Sequence, residues 1–250
     1  MDARTTALVL DGFDDRGGLD TAVSRVILER VADGELPNTF RISRPGRVVA
    51  FGKRDRLAEG FRSAVDTARG LRYGAVIRLP GGRAAAFHEG TLSFSWTTRA
   101  APPVRAERER FVALAQLIVD ALRLVGVDAA IGAVPGEYCP GEFSVNARGS
   151  VKLAGIGQRV VRGAAHVGGM LVVDGADGIR EVLVPVYRAL GLTWDPATAG
   201  AVCDVTPQVD IGSVTDALAA SLAARVEVIA SALEATTIAR ARSIAARYTP

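Results

Sequence analysis

Two scarce residue types lie close together in this sequence. Of its 30 basic residues only Lys53 and Lys152 are lysines, and its two cysteines are Cys139 and Cys203. Cys139 stands in a Tyr-Cys-Pro-Gly corner, and Lys152 follows shortly in Val-Lys-Leu-Ala-Gly. A thiol becomes a strong nucleophile once ionised, and a nearby cation favours ionisation. The pattern allows a cysteine nucleophile assisted by Lys152, but an inert, half-buried cysteine is the commonest fate of a single cysteine and stays the preferred interpretation on these residues alone. Cys203 has no comparable setting, and we predict that it is structural.

The acidic neighbours of Cys139 in the sequence act against ionisation. Glu137 and Glu142 lie within three positions of the thiol and would raise its pKa. A cation brought in by folding would offset them, and the candidates are Lys152 and His88.

A second segment with chemical potential is the Pro-Gly-Gly-Arg turn before His88. Gly81 and Gly82 have no Cβ, so their backbone amides can approach a ligand closely. The small residues Ala84 to Ala86 leave room for a ligand against the backbone. The alternative is a plain hairpin turn.

Composition and missing motifs exclude several classes of function. The formal net charge of this 250-residue chain is only +3, with scattered basic residues, which disfavours nucleic-acid binding. No apolar stretch approaches the ~18 residues of a membrane span and no signal-peptide pattern is present, so we expect a cytoplasmic protein. Neither His88 nor His166 has a partner at metal-ligand spacing, and no P-loop motif occurs.

Apolar periodicity predicts a mixed protein of helices and strands. Helices are expected over 19–32, 57–70, 104–125 and 177–190, the last broken near Pro185, with a helical region from Val214 to Tyr248. Strands are expected over 5–10, 39–43, 47–51, 76–79 and 92–97. We predict a catalytic unit over residues 1–200 and a C-terminal helical region over 201–250 that packs on it.

Two motifs resemble those of the lipoate–protein ligase and octanoyltransferase superfamily. The segment from Arg78 to His88, Arg-Leu-Pro-Gly-Gly-Arg-Ala-Ala-Ala-Phe-His, is similar to the family's Arg-Arg-x-x-Gly-Gly-(Gly/Arg)-Ala-Val-x-His motif, with one arginine fewer and one residue more before the histidine. Val151 to Arg159, Val-Lys-Leu-Ala-Gly-Ile-Gly-Gln-Arg, resembles its Lys-(Ile/Phe)-x-Gly-x-(Ala/Ser)-Gln-Arg motif. The resemblance covers about residues 35–190.

One branch of that superfamily moves octanoyl from the glycine cleavage H protein to other lipoyl domains through a cysteine. Its cysteine segment is similar to Tyr-Cys-Pro-Gly-Glu-Phe-Ser-Val, which begins here at Tyr138. The resemblance implies an α+β fold of mostly antiparallel sheets flanked by helices, as in the biotin/lipoate ligase catalytic domain. It also implies an acyl group carried as a Cys139 thioester.

The resemblance assigns roles residue by residue. Cys139 and Lys152 would be catalytic, and no metal is implied. The acyl substrate would contact Arg78, Gly81, Gly82, Arg83, Ala84, His88, Gly155 and Gln158. The partners would be lipoyl-carrier domains, namely the glycine cleavage H protein and the 2-oxoacid dehydrogenase E2, with no nucleic acid and no membrane.

Three functions stay open at this point. A cysteine-dependent transferase would need no cofactor. An ATP-dependent lipoate ligase would need ATP and Mg²⁺, and Cys139 would be incidental. A non-catalytic relative would keep only the acyl-binding pocket.

Overall fold

A computed structural model of the protein describes residues 5–13, 17–100 and 106–250. Its strands are β1 (Thr5–Phe13), β2 (Asn38–Pro45), β3 (Val48–Phe51), β4 (Gly74–Ile77), β5 (Ala85–Phe87), β6 (Thr91–Arg99), β7 (Ala129–Ile131), β8 (Val145–Ala147), β9 (Val151–Val161), β10 (Ala164–Val172) and β11 (Glu227–Ser231). Its helices are α1 (Leu19–Asp33), α2 (Phe61–Gly70), α3 (Glu107–Leu124), α4 (Ala176–Ala189), α5 (Val202–Val205), α6 (Ile211–Ala223) and α7 (Ala235–Ile244).

Eight of the described strands form one large sheet in the order β11-β1-β2-β6-β10-β9-β8-β7. The pairs β11–β1 and β1–β2 are parallel, and the pairs from β2 onward are antiparallel. The predicted class, α+β with mostly antiparallel sheets, is confirmed. Because β9 and β10 lie inside this sheet, Lys152 and Gly155 are held on a rigid element rather than on a loop.

A small three-stranded sheet, β4-β3-β5, lies apart from the large one. Successive side chains of its strands point to opposite faces of the sheet, as period-two geometry requires. Val49 and Ala86 pack with α2 and α4 in one hydrophobic cluster, whereas Val48, Ala50 and Val76 line the cavity described below. The small sheet therefore forms one wall of that cavity.

The helices cover the sheets with separate apolar layers. α3 and α6 pack on one face of the large sheet, where Phe94, Val167 and Leu171 share a core with helix residues such as Ile118 and Leu218. α1 packs against α7 with its own cluster, and α2 packs against α4. In the described part of the chain, no helix is long and apolar enough to cross a membrane.

Three helical predictions differ from the structure in detail. Residues 55–57 form a separate 3-10 turn, and α2 begins only at Phe61. α4 continues through Pro185 without the expected break, because one missing backbone donor is outweighed by the buried packing of Val182 and Val186 on either side. α3 begins at Glu107, and residues 104–105 of the predicted helix lie outside the described residues.

The helical pattern expected from Val214 to Tyr248 is interrupted by a strand. Residues 227–231 form β11, which pairs in parallel with β1 from Thr5 to Val9. The short run Val-Glu-Val-Ile-Ala-Ser contains β-branched residues, and the open edge of β1 provides the backbone partners that decide between strand and helix. Whether 1–200 and 201–250 are separate units stays a prediction.

Candidate active site

Cys139 sits in a backbone conformation that few residues other than glycine adopt. Its φ is +43°, in the left-handed region, which costs about 1–3 kcal/mol for such a residue. The Cys139 amide donates a hydrogen bond to the hydroxyl of Tyr187 at 2.8 Å, and that hydroxyl donates to the carbonyl of Ala84 at 2.9 Å. The corner is thus fixed by contacts from α4 and from the start of β5.

The sulfur of Cys139 accepts two hydrogen bonds from the segment that follows β4. Nη2 of Arg78 lies 3.1 Å from Sγ, and the backbone amide of Arg83 lies 3.2 Å from it. Burial alone would raise the pKa of the thiol, but the charges of Arg78 and Lys152 and these two hydrogen bonds outweigh it. The pKa of Cys139 therefore lies below its ordinary value, and the thiolate is favoured.

Lys152 is buried directly behind Cys139. Its Nζ donates to the carbonyl oxygens of Cys139 at 2.8 Å and Tyr138 at 2.9 Å, and to Glu137 Oε1 at 3.3 Å. Burial lowers the pKa of Lys152, and the nearby charges of Cys139 and Glu137 oppose that change. Since three acceptors use the three ammonium protons, Lys152 acts on the sulfur through its charge, while the hydrogen bonds to sulfur come from Arg78 and Arg83.

The carboxylate of Glu137 is the centre of the corner and not a free charge beside the thiol. It accepts hydrogen bonds from the amides of Val134 and Gly141 at 3.1 and 2.9 Å and from the hydroxyl of Ser144 at 2.7 Å. With Lys152 as its ion-pair partner, its charge is balanced. Glu137, which was expected from the sequence to oppose ionisation of the Cys139 thiol, therefore holds Lys152, whose charge favours that ionisation.

Gly82 is required by close packing around the sulfur. Its φ is +105°, and a Cβ at this position would lie 1.9 Å from Nη2 of Arg78 and 2.8 Å from Sγ of Cys139. A Cβ on Gly81 would have no described atom within 4 Å. Gly82 therefore lets the backbone approach the thiol, whereas Gly81 has room for a side chain.

A cavity runs from Cys139 and Lys152 between the large and the small sheet. Its apolar walls come from the small sheet and from β10: Val48, Ala50, Val76, Ala85, Phe87 and Met170. Glycines on the neighbouring strands of the large sheet, Gly155, Gly157, Gly168 and Gly169, keep it open. The space has the apolar lining that a hydrocarbon chain requires.

The register of β9 and β10 shows how long the cavity is. Gly155, whose Cβ would lie 3.4 Å from Nζ of Lys152, pairs with Met170, and His166 lies four residues away along β10. At ~3.3 Å per residue the separation is about 13 Å. An eight-carbon acyl chain has seven carbon–carbon bonds and spans about 8 Å, the length of little more than two extended residues. The separation of about 13 Å along β10 is therefore longer than an octanoyl chain.

The end of the cavity away from Cys139 is polar. Asp20, Ser24 and His166 line it, and Nδ1 of His166 lies 3.1 Å from the hydroxyl of Thr97. Burial and the charge of Arg41 lower the pKa of His166 to about 4, so the imidazole is neutral at physiological pH.

The structure brings together most, but not all, of the residues singled out in the sequence. Arg78, Gly82, Arg83 and Gly155 surround Cys139 and Lys152. Ala84 is fully buried in the core behind the corner, where only its carbonyl takes part through Tyr187. Of the three alanines after the turn, strand alternation leaves Ala85 alone on the cavity.

His88 and Gln158 lie elsewhere. His88 lines a different cavity, next to Tyr73 and Gly175, and its Nδ1 accepts from the amide of Gly90 at 3.0 Å. The charges that lower the pKa of Cys139 are those of Arg78 and Lys152. Gln158 accepts a hydrogen bond from Arg110, a residue of α3, on the opposite side of the large sheet from the cavity.

Two residues at the site had no signal of their own in the sequence. Tyr187 is 48 positions from Cys139 and reaches it only because α4 packs behind the corner. Asp55 is fully buried, accepts from the amide of Gly52 at 2.8 Å and pairs with Arg83 at 3.2 Å. Within the described ranges, no group of three or more histidine, cysteine or acidic residues could hold a metal ion.

Fold and site together define a class of protein. The chain belongs to the family described as the lipoyl protein ligase A/B catalytic domain, which matches residues 19–233. Among named relatives, the octanoyl-[GcvH]:protein N-octanoyltransferase of Geobacillus kaustophilus is 28% identical over 201 residues, covering 80% of this chain and 70% of that protein.

Solved structures agree at the level of the fold. A lipoate-protein ligase A bound with ATP superimposes with a TM-score of 0.76 at 18% identity, covering 96% of this chain and 94% of the other. A bi-partite lipoate protein ligase from Thermoplasma acidophilum, described with its E2 lipoyl domain, gives a TM-score of 0.70 at 18% identity, covering 96% and 91%.

Proposed function

We propose that this protein is an acyltransferase of protein lipoylation that carries an octanoyl or lipoyl group as a thioester on Cys139. The observation that carries the proposal is the sulfur of Cys139, held by Arg78 and the Arg83 amide at one end of an apolar cavity. Supporting it are the relatives that bear the name octanoyl-[GcvH]:protein N-octanoyltransferase.

In the first step the Cys139 thiolate attacks the carbonyl carbon of the acyl-lysine amide on a donor carrier. The C–S bond forms, the C–N bond breaks, and the departing lysine nitrogen takes up one proton from solvent, which the second step returns. Arg78 and Lys152 supply positive charge where negative charge develops on the tetrahedral intermediate. The cavity binds the acyl chain, and its six methylenes contribute about 5 kcal/mol at ~0.8 kcal/mol each.

In the second step a neutral lysine amine of the acceptor attacks the thioester carbonyl. The C–N bond forms, the C–S bond breaks, the nitrogen loses one proton, and the thiolate is restored. Splitting amide exchange at a thioester gives two easier reactions in place of one difficult displacement.

The transfer needs no ATP under this proposal. The bond broken on the donor and the bond formed on the acceptor are both acyl-lysine amides, so reactants and products have nearly equal free energy and no activation by adenylation is required. Donor and acceptor are lipoyl-carrier domains, namely the glycine cleavage H protein and the E2 lipoyl domain. A reactive thiol works only while reduced, which fits the cytoplasm.

The proposal is tested by mass spectrometry after incubation with an octanoyl-carrier donor and no ATP. We expect an adduct of about 126 Da, the mass of octanoyl replacing the thiol proton, which is absent in Cys139→Ala and present in Cys203→Ala. Transfer that requires ATP and persists in Cys139→Ala would instead indicate a ligase. Octanoate binding without either reaction would indicate a non-catalytic acyl-binding protein.

A further inference from the structure

A short basic turn projects from the protein beside the catalytic corner. It comprises Lys53, Arg54, Arg56 and Leu57, which are all exposed around the buried Asp55. Leu57 is 87% exposed, more than any other large hydrophobic residue in the described ranges. Among the residues that the structure describes, no carboxylate forms an ion pair with any of the three cations of this turn.

The basic turn is fixed rigidly to the loop that holds the thiol. A Cβ on Gly52 would lie only 1.8 Å from the carbonyl oxygen of Gly82, so the two backbones are in close contact. Asp55 joins the same two segments through the Gly52 amide and Arg83. Since the Arg83 amide contacts Sγ of Cys139, the basic turn lies at the rim of the candidate site.

The local charge at this rim is positive. The charge of Asp55 is paired with that of Arg83. Glu59 is then the other carboxylate of the segment, which carries three exposed cations. Three residues after Cys139, Glu142 is paired with Arg108 and adds no net charge. An acceptor lysine that approaches as an ammonium ion is repelled by this rim unless carboxylates surround it.

An acceptor must place its lysine nitrogen on the thioester carbonyl, so its surface stops about one lysine side chain away from Cys139. We infer that the basic turn is the docking surface for the acceptor, and that the acceptor is a folded carrier domain whose lysine is flanked by carboxylates. The carboxylates pair with the three cations, and an apolar side chain covers Leu57. This inference rests on the proposed function.

The test separates loading of Cys139 from delivery to the acceptor. The 250-residue protein is first acylated with a small octanoyl thioester, and transfer to the E2 lipoyl domain is then followed against carrier concentration. We expect the triple variant K53E/R54E/R56E to load normally but to need at least about ten times more carrier for half-maximal rate. Leu57→Ser should weaken the same step. In the unaltered protein, the carrier concentration needed for half-maximal rate should rise as salt is added.

The matched control reverses three exposed arginines away from the rim, in R72E/R162E/R242E, with the same change in net charge. Arg162 follows β9, ten residues and about 33 Å from Lys152 at ~3.3 Å per residue. Equal effects in both triple variants, or no effect in the first, would overturn the docking surface. A changed oligomeric state with unchanged transfer would overturn it in favour of a second copy on the turn.

Failure of the proposed function gives a different result, because Cys139 would then not load in the unaltered protein. Binding of a carrier whose acceptor lysine is replaced by arginine, measured by titration calorimetry, reports on docking without catalysis. We expect it to weaken in K53E/R54E/R56E and not in the control, and equal affinity in both would contradict the inference.

Discussion

At the scale of single residues, the candidate site is a buried thiol whose ionisation is decided by its neighbours. Burial opposes the thiolate, while Arg78 favours it by charge and by a 3.1 Å hydrogen bond. Lys152 favours the thiolate by its positive charge alone, because its ammonium group donates its hydrogen bonds to two backbone carbonyls and to Glu137. Arg78 should therefore control the sulfur more directly than Lys152 does.

This difference predicts the pH dependence of an Arg78→Met variant. A lowered pKa extends the thiolate of Cys139 to lower pH than an ordinary thiol allows, and the thiolate is lost as the pH falls through that pKa. Removing Arg78 raises the pKa, so the alkylation of Cys139 by iodoacetamide should shift to higher pH by about one pH unit or more and slow at pH 7. Arg78→Lys keeps the charge and should shift less, and an unchanged profile in Arg78→Met would contradict the assignment.

At the scale of elements, the geometry of Cys139 depends on α4. Tyr187 on that helix accepts from the Cys139 amide and donates to the Ala84 carbonyl, and its ring packs near Trp194. One hydroxyl thus joins the catalytic corner to β5, and it stabilises the left-handed backbone of Cys139. Tyr187 is a positioning residue, since it touches the backbone and not the sulfur.

Tyr187→Phe tests that role. The variant keeps the ring but leaves a buried amide and carbonyl without their partner, which should cost about 1–3 kcal/mol of stability. Misplacement of the thiolate should lower kcat by about 10- to 100-fold, with little change in the carrier KM. Tyr73→Phe, a buried tyrosine of the other cavity whose hydroxyl is 3.5 Å from the Gly178 carbonyl, should leave kcat unchanged. Equal kcat values in both variants would show that the corner around Cys139 keeps its geometry without the Tyr187 hydroxyl.

At the scale of the whole molecule, the C-terminal 50 residues are part of the architecture around the site. β11 closes the edge of β1, and Val214, Leu218 and Leu222 of α6 share the core of the large sheet. Arg30 of α1 binds Glu234 and the hydroxyl of Thr237 at 2.8 and 2.6 Å. The region 201–250 therefore buries surface that 1–200 would expose.

Truncation after residue 200 tests this dependence. The fragment would expose the α3 and α1 faces and the edge of β1, so we expect it to aggregate or to lack a cooperative thermal transition. The 250-residue chain should unfold in one transition followed by both circular dichroism and tryptophan fluorescence. A fragment that melts cooperatively and still acylates Cys139 would establish 1–200 as an independent domain.

The sequence by itself determined that helices and strands are mixed and which pair stands at the centre of the candidate site, whereas the α+β class with mostly antiparallel sheets came from the resemblance of its motifs. Local patterns were sufficient for the first two because they depend on short-range features: period-two and helical spacing, the Cys-Pro-Gly corner, and a lysine that survives in an arginine-rich chain. Gly81 and Gly82 were singled out together as a turn that allows close approach, and the structure shows that it is Gly82, with a φ of +105°, that approaches the thiol.

Only the tertiary structure decided which distant groups act on the thiol. Tyr187 and Asp55 carry no local signal, and His88, adjacent to the turn in sequence, faces a different cavity because strand alternation directs it away. Residues 227–231 look helical from composition, but the open edge of β1 makes them a strand. For Tyr187, Asp55 and residues 227–231 the deciding energy is a long-range hydrogen bond or contact, and such partners exist only after the chain has folded.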